Sequence, residues 1–384
     1  MHRFYNSVFS FTKVRYFFSI IFSFISLQGI AQQCNRIFEN VNQIVVPDSN
    51  NFLLRVENTN LMKNNEYFNK FVEGYTFIGY FLHPRLVYFP SSNTKIETGI
   101  HLLKYSGIKS FTQTFPTFQF QYKAGKKLDI VFGTIYGTVN HKLIEPLFQF
   151  DRYITEHIEN GLQFLWNSNS LQSDLWVNWE QFIFPQSAYQ EKFTIGFVNT
   201  YYPLKNTSGS KFYIPFQMIA TLRGGQNISI DANLESIFNF AGGIGYSIDS
   251  ITPKIHKFSI EGYALSFTDA SPSKQLPYIN GRGFFINGTL SAKNSVMQVG
   301  WWFGDFFYSS RGESIYKSVS DIDLKYSEPK RALITAKFQY GKTIAEKIKL
   351  GVRLESFYDL YNGSLDYAYG VYLTFNRDFL FGKY

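Results

Sequence analysis

The sequence predicts an all-β chain, a transmembrane antiparallel β-barrel of about 14 strands (range about 12–16, with an even number expected). Three observations predict it. Apolar and polar residues alternate with period two over runs of roughly 10 to 14 residues, long for a soluble strand and enough for the ~9 to 11 that a tilted membrane strand needs. The apolar face of each run carries large side chains without a break, while the opposite face carries charges and amides, as a lipid face and a wet interior require. Aromatic residues gather at strand ends, at Tyr201-Tyr202, Phe306-Phe307-Tyr308 and from Tyr358 to Tyr361, where interfacial girdles would sit.

Composition removes the competing classes. The 384 residues include 42 Phe, 27 Tyr and 5 Trp, so 19% are aromatic and only 17% charged. Disordered chains show the reverse balance. A mean hydropathy of −0.15 and the lack of long apolar runs beyond the N-terminus exclude a bundle of membrane helices. One cysteine excludes a disulfide scaffold. The formal charge of +8 invites a nucleic-acid partner, but the basic residues are interleaved singly with acids, and no such partner is expected.

Along the chain, residues 1–31 read as a cleavable signal peptide. Arg3, Lys13 and Arg15 precede the apolar run Phe17 to Leu27, and Gly29 and Ala31 form a small-x-small cleavage pattern. Residues 32–70 are Asn-rich and alternate weakly, which fits a periplasmic lead-in, a partial plug or a first strand around Phe52 to Val56. Residues 71–384 carry the barrel pattern. Phe193, Ile195 and Phe197 oppose Lys192 and Thr194, and Phe212, Ile214, Phe216, Met218, Ala220 and Leu222 form one apolar face. Ile230, Ala232, Leu234 and Phe238 oppose Asp231, Asn233, Glu235 and Asn239. Phe284, Ile286 and Leu290 oppose Asn287, Thr289, Ser291 and Lys293, and Ile334, Ala336, Phe338 and Tyr340 oppose Thr335, Lys337 and Gln339. Ile348, Leu350, Val352 and Leu354 oppose Lys347, Lys349, Arg353 and Glu355. Period two puts the members of each set on opposite faces of a strand. Ala124-Gly125-Lys126, Lys293-Asn294 and Asn362-Gly363-Ser364 suit tight periplasmic turns, while Asp269 to Asn280 and Ser309 to Lys330 suit extracellular loops.

The last strand pattern, through Tyr367, Tyr369, Val371, Leu373, Phe375, Phe379 and Phe381, leads to an aromatic C-terminal residue, Tyr384, with Arg377 interrupting the face and Tyr384 out of phase. With the signal and the long alternating strands, the whole chain resembles a Gram-negative outer-membrane β-barrel protein of porin-like type; no narrower family is identified. The resemblance implies residence in the outer membrane, contact with its lipid and a small polar solute as partner.

Candidate site residues follow from the inward phase. In Ser173 to Glu180, Asp174, Trp176, Asn178 and Glu180 share one face, offering two carboxylates, an amide and an indole of the kind that binds sugars. Asp231, Asn233 and Glu235 on one strand and Lys347, Lys349, Arg353 and Glu355 on another complete the expected lumen set. With Lys192, Lys293 and Lys337 facing in as well, six cations meet the five anions Asp174, Glu180, Asp231, Glu235 and Glu355, so strong ion selectivity is not expected. His83, His101, His141, His157 and His256 show no metal-ligand spacing, Cys34 stands alone, and no nucleophile elbow occurs. No metal, cofactor or catalytic residue is therefore expected. These features point to a channel for small polar solutes and away from an enzyme. The alternative is a closed barrel acting as scaffold, adhesin or envelope-assembly component, and an outer-membrane enzyme comes third.

Overall fold

The computed structural model describes residues 35, 37–41, 44, 49–203, 209–224 and 233–383, so the expected signal peptide and Asp231 lie outside the described residues. One half of the wall contains β1 (Asn51–Glu66), β2 (Thr76–Ser91), β3 (Thr94–Tyr105), β4 (Gln113–Ala124), β5 (Leu128–Thr134), β6 (Asn160–Asn167), β7 (Leu171–Gln181) and β8 (Lys192–Tyr201). The other half contains β9 (Ser210–Arg223), β10 (Glu235–Asp249), β11 (Ile255–Asp269), β12 (Asn280–Ala292), β13 (Ser295–Asp305), β14 (Lys330–Ala345), β15 (Ile348–Asp359) and β16 (Leu365–Lys383). Each strand pairs antiparallel with its sequence neighbours, and β1 pairs with β16 from Asn51↔Lys383 to Glu66↔Tyr367, closing the barrel. The wall thus has sixteen strands, the top of the expected range, and one of them, β1, lies in residues 32–70, ahead of the stretch 71–384 expected to carry the whole barrel.

Closure satisfies every strand edge internally, which the bilayer demands. The alternation assigns the faces as the sequence predicts. Phe216, Phe284, Ile286, Phe338 and Leu354 stand exposed on the outer surface, and their neighbours Gln217, Asn287, Lys337 and Glu355 are buried inside. A contiguous apolar outer belt of this kind belongs in lipid, and the molecule is an outer-membrane β-barrel. A charge near the middle of that belt costs about 2 to 4 kcal/mol. Phe216→Arg, mid-way along β9, is therefore expected to reduce the heat-modifiable, folded fraction on gels, and Leu350→Arg, beside the β14–β15 turn and paired across the strands with exposed Lys342, is expected to reduce it less.

Strand parity separates the two ends. The short turns 92–93, 125–127, 168–170, 293–294 and 346–347 share one end with both ends of the wall, and the longer loops lie opposite. Short turns mark the periplasmic side and long loops the extracellular side. Two expectations change here. Asn362-Gly363-Ser364 is a turn, but at the extracellular end, because β15 runs outward. Lys347 does not line the lumen. It sits exposed at the tip of the β14–β15 turn with φ 62°, since the alternating strand begins only at Ile348.

The interior is packed, which the alternation did not announce. Residues 135–159 fold back into the barrel, carrying a 3-10 turn (Thr138–His141) and a helical turn (Arg152–Thr155). Residues 306–329, expected as an extracellular loop, descend beside them, and Phe307 is buried rather than in a girdle. One apolar cluster joins Leu147, Ile154, Phe307 and Tyr316 of these loops to Phe81, Trp302, Leu333 and Tyr372 of the wall. Wall cations then clamp loop carboxylates. Lys63 Nζ lies 2.6 Å from Asp151, and Lys337 Nζ 2.5 Å from Glu145. Charges that an open pore would leave to water are here paired with one another.

Candidate functional site

The four β7 residues all face inward, but they serve different partners. Asp174 Oδ2 accepts from His141 Nδ1 at 2.7 Å, and its other oxygen accepts from Gln163 at 2.9 Å. Trp176 stacks on the His141 ring, with centroids 3.5 Å apart and planes 7° from parallel. The indole can lie there because its cross-strand neighbour is Gly196, where a Cβ would come within 2.0 Å of the indole. Asn178 accepts from the Asn160 amide at 3.0 Å. Glu180 pairs with Lys192 at 2.5 Å and with Arg311 of the second inserted loop.

His141 also reaches Glu159 Oε2 through Nε2 at 3.3 Å, so both ring nitrogens donate to carboxylates. Burial alone would lower its pKa, but Asp174 and Glu159 overcome this and raise it to about 9. It is a charged clamp between inserted loop and wall, unsuited to act as a base at neutral pH. Because its folded value exceeds the unfolded one, its contribution to stability is complete below about pH 6.5 and is lost as pH rises through about 9. Thermal unfolding followed between pH 6 and 10 (roughly the span of that window) is expected to show a falling midpoint in the parent and a flatter profile in His141→Gln.

The other expected residues do not join this group. Lys349 donates to the Ile37 carbonyl at 2.9 Å, and Arg353 donates to Asn35 Oδ1 at 2.6 Å and to Glu355 at 2.8 Å. Glu355 also meets Lys337 at 3.0 Å. Asn233 is exposed just ahead of β10, accepting from Ser273 at 2.8 Å, and Glu235 is half-buried where β10 begins. The sequence set therefore resolves into separate structural groups.

A different constellation surrounds a cavity of about 50 Å³ lined by Glu57, His83, Arg85, Tyr153 and His157, with Phe38 and Asn40 also in its lining. His157 follows the helical turn, and its Nδ1 donates to the Tyr153 carbonyl at 3.0 Å. That bond places the proton on Nδ1 and leaves the Nε2 lone pair available. Burial is the main cause of a lowered His157 pKa, so the ring is neutral at physiological pH. Its ring lies 4.3 Å from Phe81 and stacks at 5.2 Å on His101. Arg85 donates to Glu57 at 2.8 Å and lies 3.2 Å from Glu97, while its buried Nε has no acceptor. His83 Nε2 lies 3.0 Å from Thr117 Oγ1. Chemically, the cavity offers a neutral imidazole base beside a guanidinium with an unspent donor. Among the described residues, no group of three or more His, Cys, Asp or Glu is arranged to hold a metal ion.

Metal-pair spacing was the wrong test for these histidines. The available signal was parity: His83 and His101 fall on the inward phase of β2 and β3, and inward histidines on adjacent strands converge.

Residues 44–384 match the family described as lipid A 3'-O-deacylase-type. The chain belongs to the lipid A 3'-O-deacylase-type family. This membership overturns the expectation of a non-enzymatic protein, because the family is named for an esterase activity and its match spans the entire wall. No curated protein matches the sequence significantly. Among solved structures, the outer membrane protein OprD from Pseudomonas aeruginosa is 8% identical, with 92% of this chain and 98% of that chain covered and a TM-score of 0.51. A second, improved crystal structure of OprD gives 9% identity, coverage of 89% and 98%, and the same TM-score of 0.51. At such identity the likeness concerns the fold alone. This deacylase-type barrel shares the wall architecture of OprD.

Proposed function

We propose that this deacylase-type barrel hydrolyses an ester-linked acyl chain of lipid A, or of an outer-membrane lipid of that class, with His157 as general base. The family match over residues 44–384 carries the reading. The cavity supports it with the parts that ester hydrolysis needs. Water beside Nε2 of His157 loses its proton to the ring as its oxygen attacks the ester carbonyl. Arg85 lines the same cavity with an Nε donor that has no protein acceptor, and its guanidinium would stabilise the negative charge that grows on the carbonyl oxygen. The proton then passes from His157 to the departing sugar oxygen, releasing a fatty acid and an alcohol. A cavity of about 50 Å³ holds water but no acyl chain, so the ester reaches it only when the inserted loop 135–159 shifts.

The test is mass spectrometry of lipid A after incubation with the folded, detergent-purified protein. Loss of one acyl chain and appearance of free fatty acid are expected. Intact lipid A after prolonged incubation with heat-modifiable protein would overturn the reading. A second reading, passage of small polar solutes, draws on strand number, since sixteen strands are enough for an aqueous channel. The packed interior weighs against it, and steady single-channel conductance by the full chain would favour it.

A further inference from the structure

We propose that residues 35 and 37–40 are a working part of this cavity, with Phe38 as a positioning residue that holds Tyr153 and, through it, His157. Only the kinetic arm of the test below rests on the deacylase reading.

These residues precede β1, whose first residue lies at the periplasmic end, opposite the inserted loops. They are held on both sides. The wall grips them through Arg353 to Asn35 Oδ1 at 2.6 Å and Lys349 to the Ile37 carbonyl at 2.9 Å. The inserted loop grips them through Asn140 Oδ1, which accepts from the Asn40 amide at 2.8 Å, and through Lys142, 3.7 Å from Glu39. The wall also leaves room for them. Gly341 and Gly351 are cross-strand partners on β14 and β15, and a Cβ on them would come within 2.9 Å and 3.4 Å of Ile37. A tail lying in the lumen by accident would have no matched glycine pair and no anchors on two independent elements.

Phe38 turns this anchoring into geometry at the site. Its buried ring lies 5.2 Å from Tyr153, 5.0 Å from Phe150 and 4.7 Å from Tyr372. Tyr153 in turn has its ring 5.1 Å from His157, and its carbonyl accepts the His157 Nδ1 proton. Phe38 also lines the cavity itself. Truncating it opens a void beside Tyr153, into which the tyrosine ring and its backbone can relax. The imidazole would then lose the fixed direction of its free nitrogen.

The experiment uses the full chain in detergent with Cys34→Ser, so that an introduced thiol is the only one. Thr134→Cys lines the cavity and is expected to react slowly with a small charged thiol reagent. Adding Phe38→Ala is expected to raise the labelling rate about tenfold or more, and Phe38→Tyr, which keeps the ring, is expected to hold it low. In hydrolysis, Phe38→Ala is expected to lower kcat about tenfold or more with little change in KM, with Phe38→Tyr close to the parent. Heat-modifiability confirms that each variant is folded. Fast labelling in the parent, or labelling unchanged by Phe38→Ala, overturns the proposal. So does a folded Phe38→Ala chain that labels fast yet keeps full kcat. A parent that releases no fatty acid overturns the deacylase reading instead, and the labelling arm then decides whether Phe38 closes the cavity.

Discussion

Hydrolysis by His157→Gln is expected to fall about a hundredfold to ten-thousandfold below the parent, the range over which a general base contributes. Glutamine keeps a polar group of similar reach but has no lone pair basic enough to take a proton from water. The drop should appear in kcat, because the imidazole is engaged when charge moves and contributes little to holding the lipid. His141→Gln makes the contrast. It removes the other buried histidine of the same inserted loop, yet that ring is a cation between Asp174 and Glu159 and has no free lone pair. It is expected to lower stability and to leave kcat within severalfold of the parent, provided assays are run where both proteins are folded. Equal loss in the two variants, or full activity in folded His157→Gln, would show that His157 is not the base.

Lys63→Met is expected to destabilise the barrel by about 3 to 5 kcal/mol, the usual result of breaking a buried ion pair from one side. The ammonium lies 2.6 Å from Asp151 and 3.8 Å from Glu355, and only 1% of the residue is exposed. Methionine fills the space of the stem but leaves Asp151 with the side-chain amide of Asn65 and no cation. Because Asp151 belongs to the inserted loop, the loss should first appear as proteolytic cleavage within 135–159. The folded wall would follow at a lower temperature than in the parent. A variant whose loop stays protease-resistant and whose unfolding temperature is unchanged would show that apolar packing alone secures the loop.

The wall was legible in the sequence because a β-strand has one bit of information per residue, inside or outside. Phe212 to Leu222 and Ile348 to Leu354 state that bit without error, and the lipid face follows directly. What the alternation lacks is depth. It assigns Lys337 and Glu355 to the interior, yet contains nothing to say that Glu145, almost two hundred positions earlier, will return to meet Lys337. The inserted loops have no period of their own, since each side chain contacts a different part of the barrel. The candidate site suffered from the same blindness. His157 lies in such a loop, and its environment is assembled from β1, β2 and the N-terminal segment. Asp174 and Trp176 were found because they lie on a strand, and they turned out to hold the loop in place.

The pairing of β1 with β16 has a consequence for how such a molecule comes to exist. Asn51 and Lys383 lie in the first and last strands of the wall, and their contact closes a loop that contains every other strand. Local hairpins can assemble early, but until the last residues are available, β1 and β15 each present a row of unpaired amides. In hydrocarbon every such group costs several kcal/mol. A partly made sheet therefore cannot wait in the bilayer for its final member. The slow meeting of β1 with β16, distant in sequence, is therefore expected to accompany entry into lipid rather than to follow it.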